Sequence, residues 1–472
     1  MDNKQTIYTV NALCGAGKTF SAIQHAITLA AAGERVVIAQ PTVDLSKESK
    51  ADCQSRLGIH HVKITLINRS NTASVKEAVK KHLSTPCETS EILFITHSAW
   101  ALVCDDGWQN KQNWHLIIDE VPPVDKNFRV NVPDNHDIFT KHLRTGFKNS
   151  DGYSQLTIRP ASHAVIEEVA HNQSQDVINK IFQELATHLV SPYWKVWVED
   201  DTYNNLVSSG KGQLNASSIL QPDIVAGFKS VTVMSALFTD TNLNHIWKKM
   251  GVDFVEHPVI PQGLQYLAHT NGGSVEIRYM YDALYSKHQD DIHDLFGLMV
   301  NAVKKETASD EAFVWLANKH KTDDPFVGME GKRLPNTPHG QNGFMKYHKI
   351  AFLPALNQTP FHGAFLKSMG FDDDGLQRAL ALQSTYQACM RTSIRKLDCH
   401  HPKVIYVFSK QVAVWLQQIF VGSTICKIPS LPIIEFKAPG RPEIHKTRAD
   451  RKEARRLNQA RYRAKKRDKD SR

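Results

Sequence analysis

The chain is short of several things, and each shortage narrows what it can be. No uninterrupted apolar run approaches the roughly 18 residues that cross a bilayer, so no transmembrane helix and no membrane partner are expected. The opening residues, Met1-Asp2-Asn3-Lys4-Gln5, lack the basic and apolar regions of a signal peptide. Cysteine is sparse and odd in number, seven in 472 residues, with no Cys-x-x-Cys pair. That argues against a zinc ribbon or an iron–sulfur cluster and suits a reducing, cytoplasmic setting. Cys399-His400-His401 has no second ligand pair at a metal-binding spacing. Neither His-Glu-x-x-His nor Gly-x-Ser-x-Gly occurs.

Excess charge is also missing from most of the chain. Residues 441–472 carry 14 Lys and Arg against 5 Asp and Glu, which accounts for the whole net charge of +9. Residues 1–440 balance 43 against 43. The basic isoelectric point therefore describes a tail and not a basic body.

What is present is alternation. Short apolar strands are expected at 7–10, 36–39, 62–67, 92–95 and 116–118, and again at 231–235. A helix is expected over 18–32, with apolar residues at 23, 26, 27 and 30 and Gly33 at its stop. Such alternation indicates a parallel sheet covered on both faces. A second alternating region runs from about 265 to 425, with strands at 313–317, 349–353 and 404–408 and a helix over 376–396. Residues 161–189 read as polar and helical.

Ala12-Leu13-Cys14-Gly15-Ala16-Gly17-Lys18-Thr19 lies between the first strand and the first helix. Small residues at Gly15, Ala16 and Gly17 let backbone N–H groups curl around phosphate oxygens. The helix N-terminus adds partial positive charge. Lys18 suits the β- and γ-phosphates and the Thr19 hydroxyl suits Mg²⁺, so ATP with Mg²⁺ is the expected ligand. His115-Leu116-Ile117-Ile118-Asp119-Glu120 ends an apolar strand in two carboxylates. Asp119 suits the metal, and Glu120 suits polarisation of an attacking water.

At these positions the chain resembles superfamily 2 helicases and translocases with an Asp-Glu box, of the DEAD/DEAH kind. That resemblance implies ATP held between two RecA-like domains. Shorter matches extend it. Ala39-Gln40-Pro41-Thr42 and Ile95-Thr96-His97-Ser98-Ala99 are similar to loops that touch a nucleic-acid strand, which implicates Thr42 and Thr96. Met234-Ser235-Ala236-Leu237 is similar to the Ser-Ala-Thr element, with Leu237 in place of Thr. Tyr386-Gln387-Ala388-Cys389-Met390-Arg391 resembles the motif that faces the γ-phosphate, which implicates Gln387 and Arg391. Arg395 stands one position beyond the usual second arginine. A helical i,i+4 spacing would put Arg391 and Arg395 on one face. Residues 340–343 and 350–353, with Asn357, lie where a further motif is expected.

The expected fold is thus α/β, with two RecA-like P-loop domains built on parallel sheets, a mainly helical insert in the first and a basic C-terminal tail. The boundaries drawn are 1–124 with 226–262 for the first domain, 125–225 for the insert, 263–430 for the second domain and 431–472 for the tail. Trp194 and Trp197 in the insert suit either base stacking or a small core. In the tail, Pro439-Gly440-Arg441-Pro442 resembles a minor-groove hook. Arg455, Arg456, Arg461 and Arg463 lie in an Ala/Arg/Lys-rich stretch suited to phosphate backbones.

The function expected is an ATP-dependent helicase or translocase on nucleic acid, DNA ahead of RNA, in replication or repair and with protein partners there. A compact helicase with a basic tail would suit a phage or mobile element. Two other readings share the P-loop: a terminase-type packaging motor, which needs a nuclease in the C-terminal half, and a DNA-binding regulator that uses ATP as a switch.

Overall fold

Runs of aliphatic and β-branched residues build the first sheet. In the computed structural model its seven strands run in the order Asp253–Glu256, Thr6–Ala12, Ser230–Ala236, Trp114–Asp119, Arg35–Gln40, Glu91–Thr96, Lys63–Leu66. Every pairing is parallel. The structure describes residues 6–429 except 59–60, 73, 86–88, 309 and 336–342, together with 431–434 and 436. Val36, Val37, Ile38 and Ala39 are all buried, as are Ile92 to Ile95. Continuous apolar strands of this kind fit a sheet covered on both faces. The helix Lys18–Ala31 buries Ala22, Ile23, Ala26, Ile27 and Ala30 against it. Gly33, with φ of 90°, takes the left-handed position just past its end.

A second parallel sheet has six strands, in the order Gly331–Arg333, Phe313–Leu316, Lys349–Phe352, Lys403–Ser409, Val275–Tyr281, Thr424–Lys427. The two sheets with their helices are the two RecA-like halves. In each, all strands end on one edge, which is where open α/β sheets place ligands.

The insert differs from expectation. It is not mainly helical: five antiparallel strands form its centre, in the order Asp125–Val130, Leu214–Leu220, Trp194–Glu199, Tyr153–Ile158, Leu143–Lys148. Charged residues such as Arg129, Arg144 and Lys195 occupy the exposed positions of these strands and obscure their apolar alternation. The stretch 161–189 forms two helices, His163–His171 and Val177–Val190, parted where Asn172 turns left-handed and Asp176 caps the second. Trp197 lies in the core shared with the first sheet, and Trp194 packs on it half-buried. These tryptophans serve packing.

One helix crosses a sequence boundary. Pro360–Ser368 belongs by sequence to the second half, yet Phe365 and Leu366 are fully buried in the same core as Trp100, Ile118, Trp197 and Trp247. His362 bonds Asp125 Oδ2 at 2.8 Å and Ser217 Oγ at 3.0 Å, both in the insert. Phe365→Ala is expected to cost about 3–5 kcal/mol, read by chemical denaturation of the full chain. A loss under about 1 kcal/mol would show that the helix is not anchored there.

Among the described residues no helix is long and apolar enough to cross a membrane. Residues 431–472 form a separate unit. Arg441, Arg455, Arg456, Arg461 and Arg463 lie outside the described residues, as do Pro439, Gly440 and 340–342.

Candidate active site

The first strand ends at Ala12, and the chain turns tightly before the helix at Lys18. Gly15 and Gly17 carry that turn with φ of 82° and 87°. A Cβ on Gly15 would stand 2.7 Å from the Tyr266 hydroxyl. Lys18 is buried at the start of the helix, and its Nζ donates to Leu13 O at 3.5 Å. It also lies 3.6 Å from Glu120 Oε1. Burial works to lower the Lys18 pKa, but Glu120, Cys14 and Asp119 outweigh it and hold the ammonium above its usual value.

Asp119 closes the strand Trp114–Asp119 and is 1% exposed. Thr19 Oγ1 donates to its Oδ2 at 2.8 Å and Gln40 Nε2 donates to the same oxygen at 3.0 Å. Burial, and then the charge of Glu120, pushes the Asp119 pKa up against these donors and Lys18. A buried carboxylate that resists ionisation is relieved by a cation. One carboxylate and one hydroxyl also fit Mg²⁺, which takes its other ligands from water and substrate phosphates.

Glu120 has φ of 65°. A left-handed backbone costs a non-glycine residue about 1–2 kcal/mol. The turn sends the Glu120 side chain back towards Lys18 instead of out along the strand. Ser235 Oγ, one strand over, donates to Glu120 Oε2 at 3.3 Å.

The second half supplies the facing wall. Gln387, Arg391 and Arg395 line the same cavity, of about 840 Å³, as Gly15, Gly17, Lys18, Thr19, Asp119 and Glu120. Arg391 is half-buried, its burial lowers its pKa, and its enclosed Nε has no hydrogen-bond partner among the described residues. An unpaired buried N–H is costly, and a phosphate oxygen would satisfy it. The expected helix over 376–396 is not continuous. A π-turn, Arg378–Leu382, leads into the helix Gln383–Cys389, and a 3₁₀ turn, Ser393–Arg395, follows. Arg391 and Arg395 therefore do not share a helical face: Thr392, with ψ of −173°, breaks the winding between them. Both reach the cavity from separate turns.

Thr42 and Thr96 stand elsewhere on the sheet edge, at the ends of the paired strands Arg35–Gln40 and Glu91–Thr96. Each caps a helix: Thr42 Oγ1 accepts from Leu45 N and Thr96 Oγ1 from Ala99 N, both at 3.2 Å. Neither lines the cavity. The loop 67–72, with exposed Arg69, follows the adjoining strand Lys63–Leu66 and had no motif to announce it.

Other members of the site were not legible either. Tyr266 Oη donates to Cys14 O at 2.6 Å, and Cys14 N donates to Tyr386 Oη at 3.0 Å. Two tyrosines from distant positions thus hold the two peptide groups that flank Cys14 in the phosphate loop. Gln265 N donates to Ala16 O at 2.9 Å. The only hint of Tyr386 is its place beside Gln387.

A phosphate loop, a carboxylate pair and facing arginines across a cleft between two parallel-sheet domains define a P-loop ATPase of the two-domain RecA type. The family model for DEAD/DEAH box helicase matches residues 2–143. A solved XPD helicase aligns over 89% of this chain and 96% of its own, with TM-score 0.51 and 8% identity. S. cerevisiae Dbp5 bound to RNA and ADP BeF3 aligns over 91% of this chain and 87% of its own, with TM-score 0.36 and 9% identity. A search of curated protein sequences finds no match. Residues 2–143 are thus similar to the DEAD/DEAH box helicase domain, and the fold over most of the chain is that of a solved helicase.

Proposed function

We propose that this chain couples ATP hydrolysis in the cleft to movement along, or unwinding of, a DNA strand. The observation that carries the reading is the meeting of Lys18, Thr19, Asp119 and Glu120 with Gln387, Arg391 and Arg395 around one cavity. DNA is favoured over RNA by the tail sequence around Gly440-Arg441-Pro442, since an arginine hook suits the narrow minor groove of B-form duplex.

In this reading the N–H groups of the 14–19 turn and the helix N-terminus hold the phosphates. Lys18 bridges the β- and γ-phosphates. Thr19 and Asp119 hold Mg²⁺, which when bound neutralises charge on the phosphate oxygens. Glu120 takes a proton from the attacking water, its carboxylate steered by Ser235. Arg391, with Gln387 and Arg395, meets the charge that spreads over the transferred phosphoryl group. Thr42 and Thr96 are proposed as strand contacts through loop N–H groups and hydroxyl protons, their hydroxyl oxygens being engaged as caps. The tail arginines add affinity without sequence choice.

The test is ATPase activity of the full chain with single-stranded DNA, duplex DNA and RNA, each with and without Mg²⁺. Single-stranded DNA is expected to stimulate turnover at least about tenfold, with activity lost when Mg²⁺ is chelated. Stimulation by RNA alone would reassign the strand. No stimulation by any of the three would overturn the motor.

A further inference from the structure

One face of the helix Gln383–Cys389 is turned on the first domain. Gln383, Tyr386 and Gln387, spaced i, i+3 and i+4, all lie on it. Gln387 lines the cavity, and Tyr386 reaches the phosphate loop. Gln383 is buried, and its Nε2 donates to two carbonyls of the other domain: Ala236 O at 2.9 Å and Leu237 O at 2.7 Å. Two carbonyls facing one atom require the amide nitrogen there.

Those carbonyls end the strand Ser230–Ala236, where the chain turns sharply through Leu237 with φ of 50°. The residue before them, Ser235, has one hydroxyl proton and two acceptors in reach. Glu120 Oε2 lies at 3.3 Å and Ala236 O at 3.1 Å. Gln383 takes one of the two acceptor sites of Ala236 O, which weakens that carbonyl as a competitor with Glu120 for the Ser235 proton. Leu237 has no polar side chain, and it packs against the core of the second domain. Here the link across the cleft is made by main-chain carbonyls and a glutamine amide.

The geometry points to Gln383 as a positioning residue for ATP hydrolysis: a double donor from the second domain that sets the 235–237 turn and, through Ser235, the carboxylate of Glu120. This rests on the proposed role of Glu120. It ties the general base in one domain to the helix that leads to Arg391 in the other, so that closure of the cleft aligns both together.

The experiment uses the full chain and an oligo(dT) strand. Gln383→Ala is expected to lower stimulated kcat roughly 10- to 30-fold, the worth of one to two hydrogen bonds, with KM for ATP within about threefold. Gln383→Glu keeps size and packing but presents oxygen to two carbonyls. It should lose as much at pH 8 and regain activity towards pH 6, relative to the unsubstituted chain, as its carboxyl takes a proton and donates again. Ser235→Ala combined with Gln383→Ala should lose less than the product of the single losses, since both act on Glu120. Full kcat in Gln383→Glu at pH 8, or independent losses in the double variant, would overturn the proposal. If Gln383→Ala fails to fold, Gln383→Glu and the pH profile decide. Absence of any strand stimulation in the unsubstituted chain would instead count against the motor, and the same variants would then be compared on unstimulated turnover.

Discussion

Glu120→Gln is expected to cut ATP turnover about 10³-fold while leaving ATP binding within about threefold. The size of the loss follows from what the residue does. General-base removal costs about 10²–10⁴-fold in comparable sites. The amide keeps the length and planarity of the carboxylate, so the φ of 65° at this position and the contact from Ser235 persist. Burial is the main cause of the raised Asp119 pKa and the Glu120 charge the next, so a neutral residue at 120 removes only the second and does not weaken the proposed metal site. ATP should therefore bind and stay. The measurement is phosphate release under saturating ATP, beside equilibrium binding of a labelled nucleotide. Near-normal turnover would remove Glu120 from the chemistry.

Lys18→Ala should fail differently. The ammonium is buried and held charged by Glu120, Cys14 and Asp119, so it is a fixed positive charge facing the phosphates. Its removal takes a charge-assisted contact from both the bound ATP and the transition state. Affinity for ATP is expected to fall at least about tenfold and kcat at least about 10²-fold. Arginine at 18 should rescue little, because a planar guanidinium does not fill the place of a compact ammonium in a tight turn. The two variants together separate binding from chemistry: loss of affinity in one, trapped nucleotide in the other. If Lys18→Ala bound and hydrolysed ATP normally, the phosphate loop would be misassigned.

Much of this site was readable before any fold was known, and the reason is local. Gly15, Gly17, Lys18 and Thr19 are neighbours in the chain, so their spacing alone carries the phosphate geometry. Asp119-Glu120 is legible because an apolar strand ending in two acids stands out in sequence. The arginines of the second domain were legible only as residue types at a spacing. The helix expected to carry both ends at Cys389, and each arginine comes from its own turn. The strands of the insert are hidden in the sequence because they mix charged and apolar residues, while its amphipathic helix Val177–Val190 dominates the pattern.

The opening turn and the paired acids were thus determined by sequence, because chemistry confined to a few consecutive residues leaves its mark there. What meets what across the cleft was decided by tertiary structure. Tyr266 and Tyr386 on Cys14, and Gln383 on Ala236 and Leu237, are pairings of residues far apart in the chain. Nothing in a single sequence marks a tyrosine or glutamine for such a partner, since the same side chains serve equally as surface. Only the meeting of one half's helix and loops with the other half's strand ends buries them and obliges each polar atom to find its counterpart.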